Sequence, residues 1–316
     1  MYIKRKLKAY YRNLRSLFKN HQLQESELSK LNHLAAELIR NTHSIEKGLS
    51  IENPRLGFGY KKQSEMMHEI NILSRSDSSY HREACEMALC AMKEYLEYHS
   101  LQDYSNEFCE KLILFLNEHK SLMPNKKMGG TMCLKKQEMN FDTPEIERFF
   151  NTRHSVRDFD KTEVNINDLK KAVELAQRAP SACNRQGVRI YVLDKSKSEH
   201  LMEQFAGIGG FAEAIDKFVF ITGKISSYRV EEDNQYIVSA SMYAAYLTLT
   251  LHLYGLGACV VQRSVIWNAE WEKNRKVFEI PEDEQLICCL AVGNLKDSCV
   301  VPISHRMQND EMIKFL

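Results

Sequence analysis

Apolar residues recur at intervals of three and four through the first 140 positions, the spacing of one face of an α-helix. Leu31, Leu34, Ala35, Leu38 and Ile39 form one such stripe. Ala84, Met87, Ala88, Ala91, Met92 and Tyr95 form a second, and Leu112, Ile113 and Leu116 a third. From Pro124 to Thr143 the pattern stops. That stretch holds Gly129-Gly130 and many lysines and reads as a linker. Beyond it, helical and strand-like runs alternate. Thr143-Pro144 predicts a helix start, with Thr as N-cap and proline at the first helical position. Asn167 predicts another cap, for a helix through Leu169, Val173 and Ala176 that ends near Arg178, before Pro180. Strands are expected at Val188 to Leu193, Phe218 to Thr222, Ala258 to Val261 and Leu286 to Val292. A helix from about Gln235 to Tyr254 is apolar on most sides, so it belongs in a core or an interface. Its small residues are Ser239, Ala240, Ser241, Ala244 and Ala245, and Gly255 and Gly257 end it. The expectation is a mostly α-helical domain over 1–140 and a sheet domain, α/β or α+β, over 141–316.

Composition changes this picture little. A length of 316 residues suits two domains, and 44% hydrophobic with 27% charged residues describes a soluble globular chain. A net charge of +1 gives no overall field that would select nucleic acid. The nine cysteines form no CxxC pair or framework, and no apolar stretch is long enough to span a bilayer or serve as a signal peptide. Reduced thiols in a cytoplasmic protein are expected, with Cys288 and Cys289 packing inside a strand. The charge is unevenly placed, however. The first twenty residues contain seven Lys or Arg and no acid. Ile3, Leu7, Tyr10, Tyr11, Leu14, Leu17 and Phe18 make a stripe there, with Lys4, Arg5, Lys8, Arg12 and Arg15 mostly off it. Such a helix suits peripheral contact of residues 1–20 with an anionic membrane, or docking on its own domain, the commoner fate of an apolar stripe.

Two segments of the second half carry candidate chemistry. Arg153-His154-Ser155-Val156-Arg157 gathers two guanidinium groups and a hydroxyl, a donor set suited to phosphate. Alone, that run would read as surface arginines pairing with Asp158 and Asp160. Ala179-Pro180-Ser181-Ala182-Cys183-Asn184-Arg185-Gln186 follows about thirty residues later and offers amides for the edge of a polar ring. Gly255-Leu256-Gly257 and Ile280-Pro281-Glu282-Asp283-Glu284, before a strand ending in Gly293, come next in order. In order and spacing, over roughly 145–310, these segments closely resemble the FMN-dependent nitroreductase family.

The resemblance implies an α+β nitroreductase-like fold, a central mixed sheet flanked by helices, binding FMN at the interface of a homodimer. It implies an FMN-dependent oxidoreductase working by ping-pong hydride transfer from NAD(P)H through flavin N5 to a small-molecule acceptor. Arg153 and Ser155 match positions that bind the FMN phosphate or ribityl oxygens, and His154 a position that contacts the flavin. Arg157 matches a basic residue near N1 and O2, where a cation stabilises the negative charge of the reduced ring. Ser181, Asn184 and Gln186 match positions around the ring and ribityl chain. Gln262 lies where a backbone N–H meets N5, and Arg306 matches a C-terminal phosphate-binding arginine. Ser304 stands where relatives often carry lysine. The usual insertion that covers the substrate is reduced here to about Lys224 to Asn234. The alternative is a nitroreductase-fold scaffold or regulator that binds flavin or another ligand without turnover.

In the first half, His43, Glu46 and Lys47 share a helix face, and Arg55 follows in a Gly-punctuated stretch. They form either a polar substrate site that covers the flavin pocket or a capped helix end with a solvated ion pair. One His and one Glu do not make a metal site.

Overall fold

Among the described residues the first half forms α1 (Tyr2–Phe18), α2 (Glu27–Leu49), α3 (Tyr60–Leu73), α4 (Ser79–Leu101) and α5 (Glu107–Glu118), and the periodic stripes lie on all of them but α3. The structure is a computed structural model that describes residues 2–18, 27–196, 208–232, 234–261, 275–306 and 312–315. Leu38, Met66, Ile70, Leu89, Met92 and Leu112 build one buried cluster among α2–α5. On α5 the buried face runs through Cys109, Leu112 and Phe115, and Ile113 points to solvent. The aromatic ring, with more apolar area to remove from water, takes the inward position.

The first helix departs from the docked arrangement. Leu17, near its C-terminal end, is buried, and it joins the cluster of the second half, across the expected boundary at 140. Leu7, Tyr10, Tyr11, Leu14 and Phe18 are between 53% and 66% exposed. Among the described side chains of the stripe, Leu17 is the anchor to the chain's own body and the other five stand in water.

The stretch from 124 to 142 contains one short 3-10 turn, Lys136–Met139, and its first part is pinned to the helices. Gly130 N donates to Glu46 Oε1 (3.1 Å), Thr131 N donates to Glu94 Oε1 (3.0 Å), and Lys127 pairs with Glu94 at 2.5 Å. Gly129 permits this approach, because a Cβ there would lie 2.2 Å from the Met87 carbonyl oxygen.

The second half contains α6 (Thr143–Thr152), α7 (Ile166–Ala176) and α8 (Gln235–Leu253), with β1 (Val188–Asp194), β2 (Lys217–Lys224), β3 (Leu256–Val261) and β4 (Glu284–Asn294). Two helices start earlier than their sequence caps suggest. Asp142 caps α6 by accepting from Glu145 N, and Asn165 caps α7 by accepting from Asn167 N. Each is a short side chain with an acceptor that reaches the unpaired N–H groups of the first turn. The sheet order is β1-β2-β4-β3, and all three ladders are antiparallel. The sheet is thus antiparallel, and parallel pairing is confined to an isolated bridge of Ser155 with Ala258 of β3, at one edge. β2 is buried along its whole length. Its Lys217 is accommodated by Asp194 (2.9 Å), Glu163 (3.2 Å) and Asp216 (3.2 Å), as a buried cation requires. Cys288 and Cys289 are buried in β4 as packing residues. Together, the two halves form an α+β architecture with a helical N-terminal region.

α8 packs on α7, where Tyr243 donates to Val173 O (2.9 Å) and Thr250 to Ala172 O (2.8 Å). Its small residues do not share a face. Ser239, Ala240 and Ala244 are buried, whereas Ser241 and Ala245 lie outside beside Val238, Met242 and Tyr246. Gly255, at φ +72°, closes the helix in the left-handed conformation that glycine adopts most readily.

Candidate functional site

The two predicted halves of the site occupy opposite ends of α8. At its C-terminal end, Thr152 Oγ1 and His252 Nε2 are 2.9 Å apart. From there the chain runs beside β3, with Val156 N donating to Ala258 O (3.0 Å). Phe159 is buried over Gly257 and Gly293, and a Cβ at Gly293 would come within 2.6 Å of its ring. This packing fixes the Arg153–Arg157 segment along the sheet edge. Arg157 is exposed and, among the described residues, donates a 3.4 Å bond to the Ser155 carbonyl. Among the described residues, no carboxylate lies within ion-pair distance of Arg153 or Arg157; the neighbouring Asp158 is taken by Lys296 at 2.5 Å. Burial, then the positive fields of Arg153 and His154, holds His252 below its ordinary pKa. Cation density without a local counter-charge is what an anion site needs.

At the N-terminal end of α8, Ser239 Oγ accepts from Ala182 N (3.3 Å) and anchors the second segment. Ser181 Oγ accepts from Gln186 N (3.0 Å), and Ser181 O accepts from Asn184 N (3.0 Å). Within this loop Cys183, Asn184 and Gln186 have φ of 50°, 55° and 50°. Three non-glycine residues in the left-handed region represent strain that surrounding structure must hold. Arg185, fully buried, holds it: Nε donates to Ala182 O (3.1 Å), and Nη1 and Nη2 grip Glu232 at 2.7 and 2.5 Å. The Arg185 hydrogen bonds bring the Glu232 carboxyl down to about 2. Arg229 N also donates to Glu232 (3.0 Å), and the Arg229 guanidinium pairs with Glu37 of α2. Burial would raise the Glu37 pKa, but hydrogen bonds from Arg229 and Arg40 outweigh it and lower it. His33 of α2 adds a 2.9 Å contact to Ser226 O. The first half is thus bolted across 226–232, onto the loop that holds Ser181, Asn184 and Gln186.

Arg185 and Glu232 were not among the expected site residues. The available signal was the arginine inside the motif and the Glu231-Glu232 pair, but sequence alone does not pair them. A cavity of about 420 Å³ also lies at this seam, with Tyr80 and Met87 on one side, Arg189 and Tyr243 on the other, and Ser181 and Gln186 in its wall. The Arg189 guanidinium carbon sits 5.2 Å from the centre of the Tyr80 ring. Burial pushes the Tyr80 hydroxyl up to about 12, against the lowering effect of Arg189. No sequence pattern links these residues, because they come from distant elements.

The remaining candidates are elsewhere. His43 Nδ1 and Glu46 Oε2 are 3.2 Å apart on α2, and the other Glu46 oxygen holds Gly130. Lys47 and Arg55 are exposed. None of these four lines the seam cavity. Arg306 is exposed in an extended C-terminal segment, its guanidinium donating to Ser304 O, with no carboxylate partner among the described residues. Gln262 lies outside the described residues.

Ser239 and His252 are thirteen residues apart, about 20 Å along a helix axis. One chain therefore keeps the arginine segment and the Ser181 loop apart. In donor chemistry they suit FMN: unpaired guanidinium groups for phosphate, and a strained loop presenting Asn184 and Gln186 for a ring.

The family model described as the nitroreductase family matches residues 151–222, a stretch containing both segments. Comparison with curated proteins gives no match. Among solved structures, an FMN-dependent nitroreductase from Clostridium difficile is 23% identical, covering 52% of this chain and 92% of its own, with a TM-score of 0.42. A nitroreductase-like protein from Streptococcus mutans is 18% identical (55% and 98% covered, TM-score 0.46). A nitroreductase with bound FMN from Bacteroides fragilis is 14% identical (54% and 98% covered, TM-score 0.44). The C-terminal half of this chain, matched over residues 151–222, carries a nitroreductase-family segment.

Proposed function

We propose that the protein is an FMN-dependent oxidoreductase that works as a homodimer, in the cytoplasm, with the helical region (1–140) serving the nitroreductase-like region (141–316) as its cover. The observation that carries this reading is the separation of the two half-sites by the length of α8. The outer face of that helix, Val238, Met242, Tyr246 and Leu253, is apolar and between 40% and 55% exposed. Two copies packing these faces antiparallel about a two-fold axis would set Arg153 and Arg157 of one chain beside the partner's Ser181. Both ends of the interface would then hold a complete site.

When bound, FMN would supply the redox chemistry, taking hydride from NAD(P)H at N5 and passing electrons to a small-molecule acceptor by a ping-pong sequence. Arg153, Ser155 and Arg306 would hold the phosphate and ribityl oxygens. Arg157 would place a cation at the N1–O2 edge and favour the reduced, negatively charged ring. His154, Asn184, Gln186 and the Gln262 backbone would contact the ring. The seam cavity beside Ser181 and Gln186 is where an acceptor would sit, with Tyr80 and Met87 shielding it on the helical side. His43, Glu46, Lys47 and Arg55 would then serve the acceptor only from the second copy.

The test is purification of the full chain. It should elute as a dimer, be yellow, release FMN on denaturation, and bleach under nitrogen with NADH or NADPH. A colourless protein that takes up no added FMN overturns the reading. A yellow protein that neither nicotinamide bleaches selects the scaffold instead.

A further inference from the structure

We infer that α1 is a membrane-surface helix that holds the protein on anionic lipid. At 100° per residue, Leu7, Tyr10, Tyr11, Leu14 and Phe18 fall within an arc of about 100° on one side of the helix. All five stand in solvent. Lys4, Lys8 and Arg15 are exposed as well, and fall within an adjoining sector of about 40°. Neither α1 nor the rest of the first twenty residues contains an acid. Leu17, at the edge of the apolar arc, is buried in the C-terminal cluster. The helix is therefore fixed to the body at its last turn and presents its apolar arc outward.

Charge decides which occupant fits. A second α1 would bring one unneutralised basic helix against another, so a pair of these helices repels. Nucleic acid would use the cations but leave five large apolar side chains in water. The surface of an anionic bilayer meets both needs, with leucine and aromatic side chains at the headgroup boundary and Lys and Arg against lipid phosphates or carboxylates. Among the described residues no helix is long and apolar enough to cross a membrane, so the contact lies along the surface.

The experiment is flotation of the full chain with vesicles of phosphatidylcholine alone or mixed equally with phosphatidylglycerol. The wild-type chain should float only with the mixed vesicles, and less at high salt. Leu7→Glu combined with Leu14→Glu should abolish flotation with an unchanged circular dichroism spectrum, since both residues are exposed. Lys4→Gln, Lys8→Gln and Arg15→Gln together should weaken it on the order of a hundredfold at low salt, about fivefold per cation removed near the surface. Failure of the wild-type chain to float with mixed vesicles overturns the inference. So does flotation that survives Leu7→Glu with Leu14→Glu. A change in oligomer size on the same double substitution, without vesicle binding by the wild type, assigns the face to a second copy. Binding of a duplex oligonucleotide, but not vesicles, assigns it to nucleic acid.

Discussion

Where the C-terminal half meets α2, guanidinium and carboxylate groups are locked together: Glu37 with Arg40 and Arg229, and Arg185 with Glu232. On the outer side of α8, Val238, Met242, Tyr246 and Leu253 stand in solvent. The seam uses directional, charge-assisted bonds that are satisfied in one register and costly when one partner is lost. The outer face makes no directional demand, and its cost is apolar area in water, which any matching apolar surface relieves. The first kind of surface settles how parts of one chain sit together. In the proposed dimer, the second is what a chain would present to another copy of itself.

Arg185→Ala is the most severe way to break this contrast. It leaves Glu232 with no guanidinium partner and frees a loop with three residues at positive φ, so stability should fall by about 3–5 kcal/mol. Thermal denaturation should show a melting temperature lower by on the order of 10 °C. An unchanged value would mean that the loop is held by something else. Arg153→Ala acts at the other end of α8 and should leave the fold intact. Loss of a charge-assisted bond of about 1.5–3 kcal/mol should weaken FMN binding about tenfold to a hundredfold. Flavin retained on gel filtration at the wild-type level would remove Arg153 from the phosphate site.

Glu69 sharpens the comparison from behind the seam. It is buried, one oxygen has no hydrogen-bond partner, and Asn41 reaches the other at 3.5 Å. Burial, then the charge of Glu37, pushes its pKa up to about 7. Between the ordinary value of 4.5 and 7, the folded chain binds a proton that the unfolded chain has released. Its contribution is therefore fully present below the unfolded pKa, and stability falls as pH rises through this window. Glu69→Gln should remove that loss and gain on the order of 2 kcal/mol at pH 8, with little difference near pH 4.5. Urea midpoints at the two pH values check it, and equal gaps at both would refute it. Met242→Glu with Tyr246→Glu should have the smallest effect on the fold, about 0.5 kcal/mol or less, because both side chains are exposed. The same pair should convert the dimer to monomer and release flavin, as sedimentation and absorbance would show. A variant that stays dimeric would move the interface away from α8.

The sequence by itself determined the helices and strands, because the three-to-four spacing and the β-branched runs state which side of each element avoids water. It also marked Arg153–Arg157 and Ser181–Gln186, since a cluster of guanidinium groups and a Pro-punctuated polar loop are unusual wherever they fall. Cap positions shifted by one or two residues, as Asp142 and Asn165 show, because several short polar side chains compete for the same unpaired N–H groups. Only the tertiary structure decided that α8 separates the Arg153–Arg157 segment from the Ser181 loop, that Arg185 reaches Glu232 and that Leu17 of α1 is buried while Leu7, Tyr10, Tyr11, Leu14 and Phe18 stand in solvent. Each depends on which surfaces meet across long stretches of chain. Periodicity reports that a face is apolar, but whether that face finds a partner within its own chain is settled by packing.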